Sequence, residues 1–175
     1  MHIRKAILED APAIAKVHVD SWRTTYKGII PQPFLDKLNY DQRTELWVKN
    51  ISDSVNTVFV ALNDDEQVVG FATGSKREKN KEVDAANLTS IYLFEQWQGY
   101  GLGKLLLKAV MEDLYEKGFT KAYVEVLAEN KTRAFYQHYG TTYVKTEKLI
   151  ISGEVLDEEI YVWNNIEDVL QKLIS

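Results

Sequence analysis

Apolar residues recur along this chain with two alternating periods, one typical of strands and one typical of helices. The strand-like runs lie at residues 2–7, 57–62, 67–75, 87–94 and 121–128. Two further strands are expected to form a hairpin around Ser152 and Gly153. The pattern predicts a sheet whose strands are separated by helical segments.

The segments between these runs favour helices. Asp10 is expected to cap a first helix in which Pro12 sits early, where proline is tolerated, and Gly28 closes that region. Short helices are expected within residues 32–51 and over the last ten residues, and further helices at residues 101–117 and 131–139. The buried side of the segment at residues 101–117 is predicted to carry Leu102, Leu105, Leu106, Ala109, Val110 and Leu114.

This alternation of strands and helices predicts an α/β (α+β) fold formed by a single domain over residues 1–175. An apolar fraction of 45% is sufficient for a full core. The chain has no cysteine, which excludes disulfides, thiolate metal sites and a covalent cysteine intermediate. Its three histidines are scattered, so no metal site is expected.

The formal net charge of −5 is modest, and the basic residues do not form a stripe, so no nucleic-acid partner is expected. No apolar run approaches the ~20 residues of a membrane span, and no signal peptide is recognised. The sequence therefore predicts a soluble, cytoplasmic protein that does not bind membranes.

The loop from Gln98 to Lys104 joins a predicted strand to the amphipathic helix, and it contains three alternating glycines. Glycines let the backbone approach a ligand closely, and the free N–H groups at a helix N-terminus bind phosphate. A dinucleotide fingerprint fails because Lys104 occupies the third glycine position, and a phosphate-binding Walker loop fails because Leu105 replaces Ser or Thr.

The spacing of Gln98, Gly101 and Gly103 resembles the acetyl-CoA-binding loop of the GCN5-related N-acetyltransferase (GNAT) family. The strand before the loop and the later Asn130, Phe135, Tyr136 and Gly140 are similar to that family's pattern over roughly residues 1–165. The resemblance implies a mixed, mostly antiparallel central sheet flanked by helices, with fourth and fifth strands that splay apart around the cofactor.

The resemblance also implies which residues bind acetyl-CoA. These are Ile91, Tyr92 and Leu93 through the strand backbone, Gln98, Gly99, Tyr100, Gly101, Leu102, Gly103 and Lys104 in the loop, and Asn130 and Arg133 beyond it. Alternatives stay open for three of them. Lys104 and Arg133 could be solvated helix residues, and Asn130 could instead cap the helix expected from residue 131.

Tyr136 is the candidate general acid, because the family places this hydroxyl near the sulfur of CoA and a phenol with a pKa of ~10 can protonate a thiolate. A purely packing role is the alternative. Glu125 is the candidate general base for the acceptor ammonium, either directly or through water. An ion-paired or solvent-facing Glu125 is the competing interpretation.

Trp22 and Tyr26 lie four residues apart on the first helix, and they are the candidate substrate-binding pair, with a role in the core as the alternative. The sequence thus predicts direct acetyl transfer, in a ternary complex, to a primary amine of a small molecule such as a polyamine, amino acid or amino-sugar. A peptide N-terminal acetyltransferase and a non-catalytic acyl-CoA-binding regulator are the alternatives. A homodimer is one option for its assembly.

Overall fold

The computed structural model describes residues 1–174, and within them the chain forms seven strands and six α-helices. The strands are β1 (His2–Lys5), β2 (Thr57–Leu62), β3 (Val68–Ser75), β4 (Ala85–Leu93), β5 (Lys121–Leu127), β6 (Thr142–Ile151) and β7 (Glu154–Trp163). The helices are α1 (Ala11–Thr25), α2 (Gln32–Asp36), α3 (Tyr40–Ser52), α4 (Leu102–Glu116), α5 (Arg133–His138) and α6 (Ile166–Ile174). In this part of the chain no helix is long and apolar enough to cross a membrane.

All seven strands belong to one sheet with the order β1-β2-β3-β4-β5-β7-β6. Its strand pairs are antiparallel except for β4 and β5, which run parallel. The predicted hairpin around Ser152 and Gly153 is present, and both residues have positive φ, as a type I′ turn requires. The expectation of a mixed, mostly antiparallel sheet flanked by helices is confirmed.

Helices cover both faces of the sheet. On one face, α4 and α6 pack with small apolar residues of the central strands, such as Ala72, Ala86 and Ala122. On the other face, α1 and α3 pack over Val58, Val60 and their neighbours on β2 and β3. The second face is covered chiefly over the first strands, and this leaves the β5-β7-β6 half less covered by helices.

The prediction for the buried side of α4 was wrong at Leu105. This side chain is 42% exposed, whereas Leu107 and Met111 are fully buried. Leu107 and Met111 belong to the same apolar cluster as Ile166 and Val169 of α6. The buried side of α4 is therefore rotated toward α6. The periodicity of α4 alone does not show which helix packs against it.

Two irregularities near the centre of the sheet open it. Thr73 pairs with Ser90 and Gly74 pairs with Leu88, so Thr89 is an extra residue that forms a β-bulge in β4. The parallel pairing of β4 with β5 ends at Leu88 and Val124. Beyond that point β4 pairs with β3 and β5 pairs with β7, which leaves a gap between the two central strands. The predicted splay is confirmed.

The turn from β1 into α1 is held by Asp10, which occupies the predicted N-cap position of α1 but makes no side-chain capping hydrogen bond to that helix. Arg4 donates two hydrogen bonds to the Asp10 carboxylate, at 2.7 and 3.0 Å, and the N–H of Ile7 donates a third at 2.8 Å. Burial opposes ionisation of Asp10, but these hydrogen bonds and the charge of Arg4 outweigh it and lower its pKa.

Replacing Asp10 with Ala should lower the free energy of unfolding by about 2 kcal/mol at pH 7, because charged hydrogen bonds are lost and Arg4 is left without its partner. A lowered pKa means that this stabilisation is complete above the unfolded-state value of about 4 and is lost as pH falls through the folded-state pKa. Urea unfolding at several pH values measures both effects. Asp36→Ala, at an exposed carboxylate, should cost much less, and equal losses would contradict this role for Asp10.

Candidate active site

The gap between β4 and β5 presents unpaired backbone groups. The N–H of Phe94 donates to the carbonyl of Val69 on β3, at 3.0 Å. Successive residues of a strand direct their N–H groups to opposite sides, so the N–H groups of Ile91 and Leu93 point into the gap. The Leu93 carbonyl also faces away from β3, since it accepts from the Ser21 hydroxyl at 3.3 Å. These two residues can pair with an extended ligand that carries amides.

A cleft of about 450 Å³ leads from this gap to the start of α4. Its lining residues are Thr25, Ile91, Tyr92, Leu93, Gln98, Gly99, Gly101, Gly103, Lys104, Lys131, Thr132, Phe135 and Tyr139. Eight of the predicted cofactor residues are among them. Thr25, Lys131 and Thr132 were not singled out from the sequence, because each lies in a segment whose side of the molecule follows only from the fold.

The glycine loop ends in a helix N-terminus that faces the cleft. Gly99 and Gly101 both have φ of +83°, a left-handed conformation that strains other residues. Gly101 is the N-cap of α4, and the first helical hydrogen bond runs from the N–H of Leu105 to its carbonyl. The N–H groups of Leu102, Gly103 and Lys104 therefore precede the helical ladder and can bind an anion such as a pyrophosphate.

The other four predicted cofactor residues do not line the cleft. The Tyr100 ring is 62% exposed and lies 6.0 Å from Trp97, while the Leu102 side chain is buried in the core, so these two can act through their backbone. Arg133 forms an ion pair with Glu159 at 2.6 Å, away from the cleft. Asn130 does not cap a helix at residue 131, since α5 begins at Arg133 and the Asn130 side chain accepts from the N–H of Thr132 at 2.9 Å.

Asn130 also joins a cluster of hydroxyl groups at the gap. The Tyr26 and Tyr92 hydroxyls are 2.9 Å apart, and the Asn130 amide donates to the Tyr26 hydroxyl at 3.4 Å. Burial raises the pKa of both tyrosines, so their hydroxyls stay protonated at neutral pH. The sequence singled out Tyr92 for its backbone, but its hydroxyl is part of the site as well.

Tyr136 faces a small cavity of about 30 Å³ in the same gap. Tyr26, Ser90, Glu125 and Asn130 also line this cavity. The Tyr136 ring is only 6% exposed and packs edge-on against Trp163 at 5.8 Å. Burial, followed by the effect of Tyr26, raises the pKa of Tyr136, which keeps its proton available. The Tyr136 side chain thus packs in the core and also lines the cavity.

Glu125 is held by two cations from the loop after β3. Arg77 Nη1 lies 3.2 Å and Lys79 Nζ 2.7 Å from its carboxylate, which is 13% exposed. Glu125 lines the small cavity on one side and, on the other, a groove of about 690 Å³ that also includes Asn87, Tyr123 and Lys145. The ion-paired interpretation thus describes its contacts, and its role as a base stays a prediction.

Trp22 and Tyr26 occupy an aromatic cluster beneath the gap. Their ring centroids are 4.8 Å apart, and Trp22 also contacts Phe34 and His18. Burial, with a smaller effect of the Arg43 charge, lowers the pKa of His18 to about 4, so its Nδ1 accepts a hydrogen bond from Trp47 Nε1 at 3.1 Å. In these contacts Trp22 supports the cluster, while Tyr26 reaches the cavity. Among residues 1–174, no group of three or more His, Asp or Glu side chains is placed to hold a metal ion.

Comparisons with known proteins agree with this geometry. Residues 16–141 match the acetyltransferase (GNAT) family. The chain is 39% identical to the uncharacterized N-acetyltransferase YuaI of Bacillus subtilis over 164 residues, which cover 94% of this chain and 93% of that protein. It is 33% identical to the [ribosomal protein bS18]-alanine N-acetyltransferase of Haemophilus influenzae over 87 residues, which cover 50% of this chain and 56% of that protein.

The fold is similar to that of the PaiA N-acetyltransferase from Thermoplasma acidophilum, whose crystal structure is a complex with coenzyme A. The TM-score is 0.75 at 22% sequence identity, with 90% of this chain and 96% of that chain covered. Sequence match, splayed sheet and glycine loop lead to one conclusion: the chain belongs to the acetyltransferase (GNAT) family, and it is an N-acetyltransferase that uses acetyl-CoA as its co-substrate.

Proposed function

We propose that this protein transfers the acetyl group of acetyl-CoA directly to a primary amine of a small molecule, within a ternary complex. The observation that carries the proposal is the connection of three spaces along the gap. The cofactor cleft shares Ile91, Tyr92 and Thr132 with the small cavity, and the small cavity shares Glu125 with the groove on the other side. Acetyl-CoA and amine can then approach one point from opposite sides.

Each side of this point suits one reactant. The cleft offers the N–H groups of Ile91 and Leu93 for the pantetheine chain, and it offers the start of α4 for the pyrophosphate. An N–H at this position, such as that of Leu93, would also stabilise the oxyanion that develops on the thioester. The groove is lined by both lysines and glutamates, and its carboxylates, among them Glu125 and Glu147, would be the groups that bind a cationic acceptor.

We assign proton donation to Tyr136. Acetyl transfer expels a CoA thiolate, and a phenol that is protonated at neutral pH can supply the proton that it needs. The Tyr136 side chain lines the cavity between cleft and groove, where the thiolate would form. Because the chain lacks cysteine, a thiol intermediate is not available, and transfer must be direct or use another nucleophile.

The N-terminal amine of a peptide is the second candidate acceptor. The relative from Haemophilus influenzae is named for acetylation of a ribosomal protein alanine, and it matches half of this chain. A peptide would have to continue along the same groove beyond the cavity. The two acceptor classes therefore differ in how much of the groove they would occupy.

An assay of acetyl-CoA consumption should identify the acceptor class. The panel would contain spermidine, lysine, kanamycin and a peptide with N-terminal alanine, and the signal would be the free thiol of CoA. We expect turnover with at least one of the first three and little with the peptide. Turnover with the peptide alone would favour the second candidate. Binding of acetyl-CoA without turnover across a wider amine panel would instead favour a non-catalytic regulator.

Gly101→Ala should weaken acetyl-CoA binding at least tenfold, because a left-handed residue at the start of α4 shapes the anion site. Gly118→Ala is a matched control, since Gly118 also has positive φ but follows the other end of the same helix. Both changes should cost about 1 kcal/mol of stability through backbone strain. Calorimetric titration with acetyl-CoA separates them, and equal affinities in the two variants would refute the loop assignment.

Tyr136→Phe should lower kcat by roughly 100-fold or more and leave the dissociation constant of acetyl-CoA within about threefold, because only the proton donor is removed. Tyr115→Phe, at an exposed tyrosine of α4, controls for loss of a hydroxyl elsewhere. Steady-state kinetics together with calorimetry provide both numbers. An unchanged kcat in Tyr136→Phe would leave Tyr136 with a packing role.

A further inference from the structure

The acceptor amine needs a base. An alkyl ammonium has a pKa of ~10.4, so at neutral pH nearly all of it must lose a proton before it can attack the thioester. Glu125 is the carboxylate that the sequence singled out for this task. Its two close ion pairs with Arg77 and Lys79 engage both of its oxygens, because Arg77 binds Oε2 and Lys79 binds Oε1.

A second carboxylate, Glu158, lies beside Glu125 on the groove face of the sheet. Glu158 on β7 is the register partner of Leu127 on β5, while Glu125 pairs with Ile160. Since side chains two residues apart share a face, Glu158 and Glu125 are diagonal neighbours on that face. The charge of Glu125 acts on Glu158, and Glu158 is half-buried.

Glu158 also lies close to the hydroxyl cluster. Its negative charge acts on the Tyr26 phenol, which in turn contacts Tyr92 and Asn130. Tyr26 lines the small cavity that Tyr136 reaches. Glu158 thus neighbours Glu125 and Glu147, which line the groove, and its charge reaches Tyr26, which lines the cavity.

We propose that the Glu158 carboxylate binds the acceptor ammonium and accepts its proton, and that Glu125, fixed by Arg77 and Lys79, positions Glu158. The proposal rests on the proposed function, since it needs an amine that enters through the groove. It assigns a catalytic role to a residue that the sequence pattern did not single out, and it makes Glu125 a positioning residue.

The proton inventory balances with these groups. The acceptor ammonium gives one proton to Glu158, and the neutral nitrogen then attacks the acetyl carbon. The C–S bond breaks, and Tyr136 protonates the CoA thiolate. The acetylated nitrogen loses a second proton, which restores the Tyr136 phenol, and Glu158 releases the first proton through the groove to solvent. The net products are the amide, CoA thiol and one proton.

The surroundings of Glu158 set its proton affinity. Burial, then the charge of the neighbouring Glu125, raise the pKa of Glu158, and the charges of Lys79 and Arg77 act in the opposite direction. Tyr26 faces it from the end of α1, and Glu147, paired with Lys145 at 2.8 Å, lies opposite on β6. A raised pKa brings a carboxylate nearer to the working pH, as a general base requires.

The kinetic test compares Glu158→Gln, Glu158→Asp and Glu125→Gln, with Glu154→Gln as the control at an exposed position of the same strand. The acceptor is whichever of spermidine, lysine, kanamycin or the alanine peptide the wild type acetylates. Glu158→Gln should lower kcat at pH 7 by roughly 100-fold. Its residual rate should rise about tenfold per pH unit, because only free amine then reacts. Glu158→Asp should recover part of the loss.

The wild-type rate should fall as pH drops through the pKa of Glu158, at a pH above the ordinary glutamate value of about 4.3. Glu125→Gln should move this acidic limb to lower pH, because it removes the charge that raises the pKa of Glu158. If Glu158→Gln leaves the acidic limb and kcat unchanged, the proposal is wrong. Loss of the acidic limb in Glu125→Gln but not in Glu158→Gln would assign the base to Glu125 instead.

A second measurement does not depend on turnover. In protein labelled with ¹³C at glutamate carboxyl groups, one resonance should titrate above the ordinary glutamate range, disappear in Glu158→Gln and shift to lower pH in Glu125→Gln. A Glu158 resonance that titrates at or below the ordinary value would overturn the proposal. A raised value in a protein that acetylates none of the amines would leave Glu158 as described and refute the proposed function.

Discussion

The end of pairing between β4 and β5 is the constraint on which the site depends. Backbone N–H and C=O groups inside a sheet are almost always paired, so a central gap needs other partners for them. The Leu93 carbonyl obtains them from the Ser21 hydroxyl and the Gln98 amide, at 3.3 and 3.4 Å. The N–H groups of Ile91 and Leu93 are left directed at the space that the cofactor enters. The bulge at Thr89 and the early end of the β4–β5 pairing thus leave backbone groups that can bind the cofactor.

The polar groups around this gap are ordered by charge. Neutral hydroxyl and amide groups of Tyr26, Tyr92, Asn130 and Tyr136 surround the small cavity, where the chemistry is expected. Of the charged groups, Glu125 lines both the cavity and the groove, and the start of α4 lies on the cofactor side. Burial favours neutral phenols, so the cavity has proton donors without fixed charge. In such a cavity, the charge that develops during acetyl transfer is stabilised only where a hydrogen-bond donor reaches it.

Sequence patterns predicted much of this fold, since strand alternation, the hairpin turn and the glycine loop are each encoded within a few residues. They also brought Gln98, Gly101 and Tyr136 to one region through the family resemblance. They failed where neighbours come from distant segments. The exposure of Leu105 depends on where α6 packs, and the direction of Arg133 depends on Glu159 of β7, 26 residues away. No local sequence pattern pointed to Glu158, because its position beside Glu125 depends on the register between β5 and β7.

The charges around Glu158 explain how this carboxylate could accept a proton and also respond to the charge of the acceptor. Glu125, Glu158, Arg77 and Lys79 together are neutral when Glu158 is ionised, and they carry one positive charge when it is protonated. An arriving ammonium is repelled by the second state but not by the first, so acceptor binding would itself favour the ionised form of Glu158. Arg77 and Lys79 come from the loop after β3, and their contact with Glu125 ties that loop to the groove. The charge state of the base, the position of the loop and the entry of the acceptor would then be linked through one cluster of four side chains.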